Sequence, residues 1–183
     1  GGVYSTHLRK SGLELGESVE ETIKVNQETG VKTLISHFLP IKGGEKEYEA
    51  ALERIESLPK ESDFHFDMYP FDATILPLYT FLPLWAQNGG LEIMESNVKD
   101  KWLQPRLIKD MLRFNPYHLT VTQAVGNESL VDRSLADLMD IYSLADPREA
   151  LLKLMITTGL KASIAYKNIN PKLIKRGLIS PRL

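Results

Sequence analysis

His7, His37 and Tyr69 are the residues best placed to do chemistry. His7 and His37 each stand where a β-rich run gives way to a loop, 30 residues apart, and Tyr69 holds the same place 32 residues further on. In a closed parallel barrel, such strand-end residues point into one mouth, which holds the active site. Imidazole is the commonest metal ligand, so histidines on adjacent strands could share a zinc ion. The same positions equally suit hydrogen-bonded strand-end histidines that bind nothing. Two histidines do not complete a zinc site, which takes at least three protein ligands and an open position. In the run Phe64-His65-Phe66-Asp67, alternation puts His65, Asp67 and Tyr69 on one face. His65 would lie well below the mouth and reads as structural. Asp67 could orient a metal-bound histidine, although a structural hydrogen bond fits its place better. His118 follows Asn115-Pro116-Tyr117 and reads as a loop residue without a function.

The elements that must position these residues follow a βα rhythm. Residues 3–8, 31–36 and 64–69 read as strands. A helix with a Ser18-x-x-Glu21 capping box runs to Gly30, and a second carries Tyr48, Ala51, Leu52, Ile55 and Leu58 on one face before Pro59. Strand, helix, strand, helix, strand predicts a parallel sheet with right-handed crossovers. Residues 72–134 are rich in Leu, Pro and aromatics without a regular period and read as a mostly helical insertion, with one isolated strand at 119–124. Residues 135–183 read as return helices, at Ser134, at Asp146-Pro147 and at 171–176, followed by the approach to a strand at 178–183.

Composition narrows the function classes. The chain has 183 residues, 22 Lys and Arg against 24 Asp and Glu, a net charge of −2 and no cysteine. The charge balance argues against a nucleic-acid partner. Without cysteine there is no disulfide, thiol nucleophile or thiolate metal site. The apolar stretch at 75–87 carries three prolines and is too short for a membrane span. No signal segment opens the chain, and the expected location is cytoplasmic. The absent initiator methionine suggests a piece of something longer. Phosphate-loop and Gly-x-Ser-x-Gly patterns are missing, and Glu45 after Gly43-Gly44 would repel phosphate.

Taken together, Gly1-Gly2-Val3-Tyr4-Ser5-Thr6-His7-Leu8-Arg9, Leu34-Ile35-Ser36-His37 and Asp67-Met68-Tyr69-Pro70-Phe71 resemble the D-aminoacylase (N-acyl-D-amino-acid deacylase) family of metal-dependent amidohydrolases. The resemblance extends over essentially the whole chain. It implies part of a (β/α)8 TIM barrel: about three parallel βα units at 1–71, an insertion at 72–134, and a return toward the last barrel strand at 135–183. It further implies that His7 and His37 are zinc ligands, and that Tyr69 faces the substrate carbonyl and stabilises the developing oxyanion. Tyr69 and Arg9 would contact an N-acyl amino acid or related small amide. Three family features are missing: a His-x-His strand, a cysteine ligand, and a catalytic aspartate on the last strand, about where this chain stops. Phe38-Leu39 stand where the family tends to place a basic substrate-binding residue.

The first expectation is therefore a fragment of a zinc-dependent amidohydrolase, inactive as an isolated segment. Self-association through the aromatic insertion or an open sheet edge is a further expectation. A second is a non-catalytic half-barrel module that binds a protein through the insertion. A third, a flavodoxin-like or Rossmann-like domain, fits the rhythm but has no phosphate loop.

Overall fold

The computed structural model describes residues 1–183. They form two compact units, Gly1–Asp72 with Asn168–Leu183, and Ala73–Lys167.

The first unit opens with the alternation predicted from sequence. Strands β1 (Val3–His7), β2 (Lys32–Ser36) and β3 (Phe64–Phe66) form a parallel sheet in that order, with helices α1 (Leu15–Thr29) and α2 (Glu45–Glu56) between them. The register sets Ser5 beside Leu34 and Leu34 beside His65, and sets Thr6 beside Ile35 and Ile35 beside Phe66. Because side chains alternate along a strand, Ile35, Phe64 and Phe66 share the face that packs under the helices. There they are buried with Val19 and Ile23 of α1 and Tyr48, Leu52 and Ile55 of α2. Burying side chains of this size stabilises by about 1.5–3 kcal/mol each. The other face carries Ser5, His7, Leu34, Ser36 and His65. Gly30 ends α1 in the left-handed conformation.

The start of α1 differs from expectation. The helix begins at Leu15 after a short 3-10 turn at Gly12–Glu14, so Ser18 lies inside it. The buried Ser18 hydroxyl instead accepts the Lys10 backbone N–H at 2.9 Å, tying the segment that follows His7 to the helix.

The insertion at 72–134 is helix-rich, as expected, but the second unit also has strands that the sequence reading did not place. It holds an antiparallel sheet of β4 (Thr74–Pro77), β5 (Leu119–Ala124) and β6 (Ala162–Tyr166), with β6 in the centre. Helices α3 (Leu91–Lys99), α4 (Gln104–Asp110), α5 (Leu135–Tyr142) and α6 (Pro147–Thr158) accompany it. Residues 135–167, grouped with the return helices by sequence, pack within this unit. The strand at 119–124 is not isolated, since it pairs with β6. Ser134 and Asp137 form a reciprocal capping box on α5. Asp146 caps α6, with Pro147 in its first turn. The buried core includes Leu78, Val121, Leu138, Leu151, Leu154 and Ile164.

The chain then rejoins the first unit. Ile41 and Ile169 form an antiparallel bridge, and the Asn170 N–H donates to the Pro40 carbonyl at 2.8 Å. Helix α7 (Pro171–Leu178) follows, capped by Asn170, and Arg176 pairs with Glu56 of α2. Residues 178–183 form no strand. One backbone bond reaches the sheet, from Phe66 N–H to the Arg182 carbonyl at 3.0 Å, on the side of β3 away from β2. No helix is long and apolar enough to cross a membrane.

Candidate functional site

The three strand-end residues singled out in the sequence come together. His7 Nε2 lies 3.2 Å from His37 Nδ1, with the ring centroids 5.0 Å apart and the planes at 72°. The Tyr69 ring stands edge-on to His37 at 5.7 Å, and Phe71 follows at 6.3 Å from Tyr69. Both histidines are exposed. They line a depression of about 110 Å³ together with Leu8, Lys10, Ser11, Ser36, Leu39 and Ile41.

Their meeting depends on one backbone turn. His7 is opposite Ser36 in the register, so His7 and Ser36 share a face. The Ser5 and Ser36 hydroxyls, 3.4 Å apart, lie on that same side. A continued strand would send His37 to the opposite face, beside Ile35 and under the helices. His37 instead adopts a left-handed conformation with φ 58°, which is uncommon for a residue with a side chain. The turn brings the imidazole to the His7 side, and the next residue, Phe38, drops into the core. Phe38 is fully buried, stacked on Tyr48 at 4.7 Å and tilted against Phe66 at 5.1 Å.

Asp67 secures this turn. Its Oδ1 accepts the His37 backbone N–H at 2.6 Å. Its own N–H donates to the Ile35 carbonyl at 2.8 Å, and its carbonyl accepts the Phe38 N–H at 2.9 Å. The carboxylate thus meets the backbone of His37 rather than its ring, a contact the residue types alone do not reveal.

The other candidates lie elsewhere. Arg9 places its guanidinium on Glu21 of α1 at 2.8 Å and borders, with His7, a separate depression of about 120 Å³. His65 faces Asp63 at 3.5 Å, and Asp63 also pairs with Lys32 at 3.1 Å. His118 belongs to a 3-10 turn in the second unit, where its carbonyl accepts the Lys167 N–H.

The chemistry of the pair suits a metal ion. Two imidazole nitrogens bound about 2.05 Å from a tetrahedral zinc stand about 3.3 Å apart, close to the observed 3.2 Å. His7 and His37 fit as two members of a ligand set. No group of three or more His, Cys, Asp or Glu side chains in the chain is arranged to hold a metal, so the pair alone falls short of the three protein ligands of a catalytic zinc site.

No protein-family model matches the chain. Over 77 residues, or 40% of its length, the chain is 34% identical to a D-aminoacylase from Alcaligenes xylosoxydans xylosoxydans, of which that stretch is 15%. Among solved structures, a D-aminoacylase described as defining a novel subset of amidohydrolases aligns with 99% of the chain. The TM-score is 0.63 and the identity 20%. An N-acyl-D-glutamate deacylase from Bordetella bronchiseptica, complexed with zinc and a phosphonate mimic of the tetrahedral intermediate, aligns with 98% of the chain. There the TM-score is 0.61 and the identity 15%. At such identities these structures speak for the fold. The chain spans 31% of the length of each. The chain thus has a local sequence likeness to a D-aminoacylase and shares the α/β fold of part of the D-aminoacylase and N-acyl-D-glutamate deacylase structures.

Proposed function

We propose that this chain is the part of a metal-dependent amidohydrolase that contributes two metal ligands, His7 and His37, and a substrate-facing hydroxyl, Tyr69. The complete protein would hydrolyse the amide bond of an N-acyl amino acid, and the isolated segment would not turn over substrate. The observation that carries the reading is the 3.2 Å approach of His7 Nε2 to His37 Nδ1 from the ends of adjacent parallel strands. Kinship with amide hydrolases supports it over the non-catalytic module.

Zinc is the proposed metal, and when bound it supplies Lewis acidity and lowers the pKa of water toward neutrality. His7 and His37 would present their neutral nitrogens to it. Tyr69, edge-on to His37, would donate a hydrogen bond to the carbonyl oxygen as negative charge develops there. Leu39 lines the depression beside the second histidine and supplies no cation there, while Phe38 is taken up by the core. Arg9 would hold a substrate carboxylate by exchanging Glu21 for it. The parallel units belong to a partial (β/α)8 barrel in this reading, with the strand ends on its catalytic rim.

Calorimetric zinc titration of the 183-residue chain tests the reading. Wild type is expected to bind one zinc, and His7→Ala and His37→Ala are each expected to weaken binding by at least tenfold. Affinity unchanged in both variants would contradict the ligand assignment.

A further inference from the structure

We propose that Asp67 is a positioning residue that holds His37 in the left-handed turn by which its imidazole reaches the His7 side of the sheet. The inference rests on the reading of His7 and His37 as metal ligands and adds the group that keeps them paired.

Three observations converge on Asp67. Strand alternation assigns the His37 position to the helix-covered face, yet its ring lies 5.0 Å from that of His7. The departure is made at His37 itself, where φ is 58°, a conformation that costs of order 1 kcal/mol or more outside glycine and persists only when neighbours over-determine it. Asp67 reaches that residue's backbone, its Oδ1 accepting the His37 N–H at 2.6 Å. An ionised acceptor makes this bond about twice as strong as a neutral one. Asp67 is itself fixed by backbone bonds to Ile35 and Phe38, the residues flanking the turn. The carboxylate therefore joins β3 to the turn after β2 and decides which face of the sheet His37 serves. Tyr69 lies two residues beyond Asp67 on the same segment, with its ring edge-on to His37.

The test compares wild type, Asp67→Ala and Asp67→Asn in the 183-residue chain. Amide exchange at His37 and ring–ring NOEs between His7 and His37 are measured without metal, and zinc affinity by calorimetry. Wild type should show a protected His37 amide and close ring contacts. Asp67→Ala should lose both while remaining folded by circular dichroism, and should bind zinc about 10–100-fold more weakly. Asp67→Asn, which keeps an oxygen acceptor, should recover most of the protection and affinity. Unchanged NOEs and affinity in folded Asp67→Ala would overturn the proposal. So would a wild-type His37 amide that exchanges as freely as an open loop, a readout that stands even if Asp67→Ala fails to fold. If wild type binds no zinc, the ligand reading fails separately, and the exchange and NOE comparison still decides the role of Asp67.

Discussion

His37 sits one residue past the register partner of His7, just beyond a strand whose alternation would turn it away, and yet His7 Nε2 and His37 Nδ1 are 3.2 Å apart. A shared metal site therefore depends less on the strands than on the turn after β2. That turn is held from one side by Asp67 and from below by Phe38, which stacks on Tyr48. Several consequences can be measured.

Tyr48 supports the turn through its ring and not its hydroxyl. The hydroxyl is buried with no hydrogen-bond partner, and burial pushes its pKa well above the ordinary phenol value. It sits so close to Gly177 that a methyl group there would meet it at 2.5 Å. Tyr48→Phe keeps the stack and removes an unsatisfied polar atom, so it should raise unfolding stability by about 1 kcal/mol in urea titration. Gly177→Ala should lower it by about 1–3 kcal/mol through overpacking. A destabilised Tyr48→Phe would show that the hydroxyl has a partner.

Arg182 closes the open side of β3. Its buried guanidinium donates to the carbonyls of Leu58, Pro59 and Phe64, and its own carbonyl accepts the Phe66 N–H at 3.0 Å. Arg182→Ala would strand carbonyl groups past the end of α2 at a cost of about 1–3 kcal/mol. Hydrogen exchange should quicken at Phe66 more than at Thr33 in that variant. Equal rates at both would refute the local role.

Acid should loosen α7 from α2. Hydrogen bonding to the Arg176 guanidinium holds the Glu56 carboxyl below its ordinary value of 4.5. A depressed folded value means the contribution is complete above 4.5 and is lost as pH falls through the folded value. The exposed Arg176 side keeps it modest, up to about 1 kcal/mol near neutrality. Comparison of wild type with Glu56→Gln by urea unfolding should show a gap near neutral pH that shrinks as pH falls below the ordinary carboxylate value. A gap that widens in acid would contradict the sign.

In the second unit, the central place of β6 predicts unequal costs. Ile164 is buried on β6, whereas Ile75 on the edge strand β4 is 68% exposed. Ile164→Ala should cost about 2–5 kcal/mol and Ile75→Ala less than about 0.5 kcal/mol, both by thermal or urea unfolding. Similar costs would place β6 at an edge.

The first unit was legible because its signals are local. The face formed by Tyr48, Ala51, Leu52, Ile55 and Leu58 is buried as its spacing implies, and the three β-rich runs are strands, although the third ends at Phe66 and leaves Tyr69 three residues beyond it. β4 and β6 were missed for opposite reasons. Thr74–Pro77 is a four-residue edge strand ending in proline, and Ala162–Tyr166 carries two alanines and begins four residues after α6 ends. Neither run has enough β-branched or aromatic character to stand out, and both are fixed by pairing across long sequence separations. At the site, residue types and strand ends singled out His7, His37 and Tyr69, and the fold brings these side chains together. The left-handed turn and the bond from His37 to Asp67 were not legible, since histidine adopts positive φ in only a small fraction of cases and an aspartate carboxylate can accept from many backbone donors. Ser18 misled for a similar reason: a capping-box pattern one turn inside a helix looks like one at its start.

The ¹⁵N NMR signals of the four imidazoles, followed as one equivalent of zinc is added, test the central claim most directly. His7 Nε2 and His37 Nδ1 should shift together at one stoichiometry, while the nitrogens of His65 and His118 stay in place. A shift at only one of the pair, or equal shifts at all four histidines, would contradict a shared metal site.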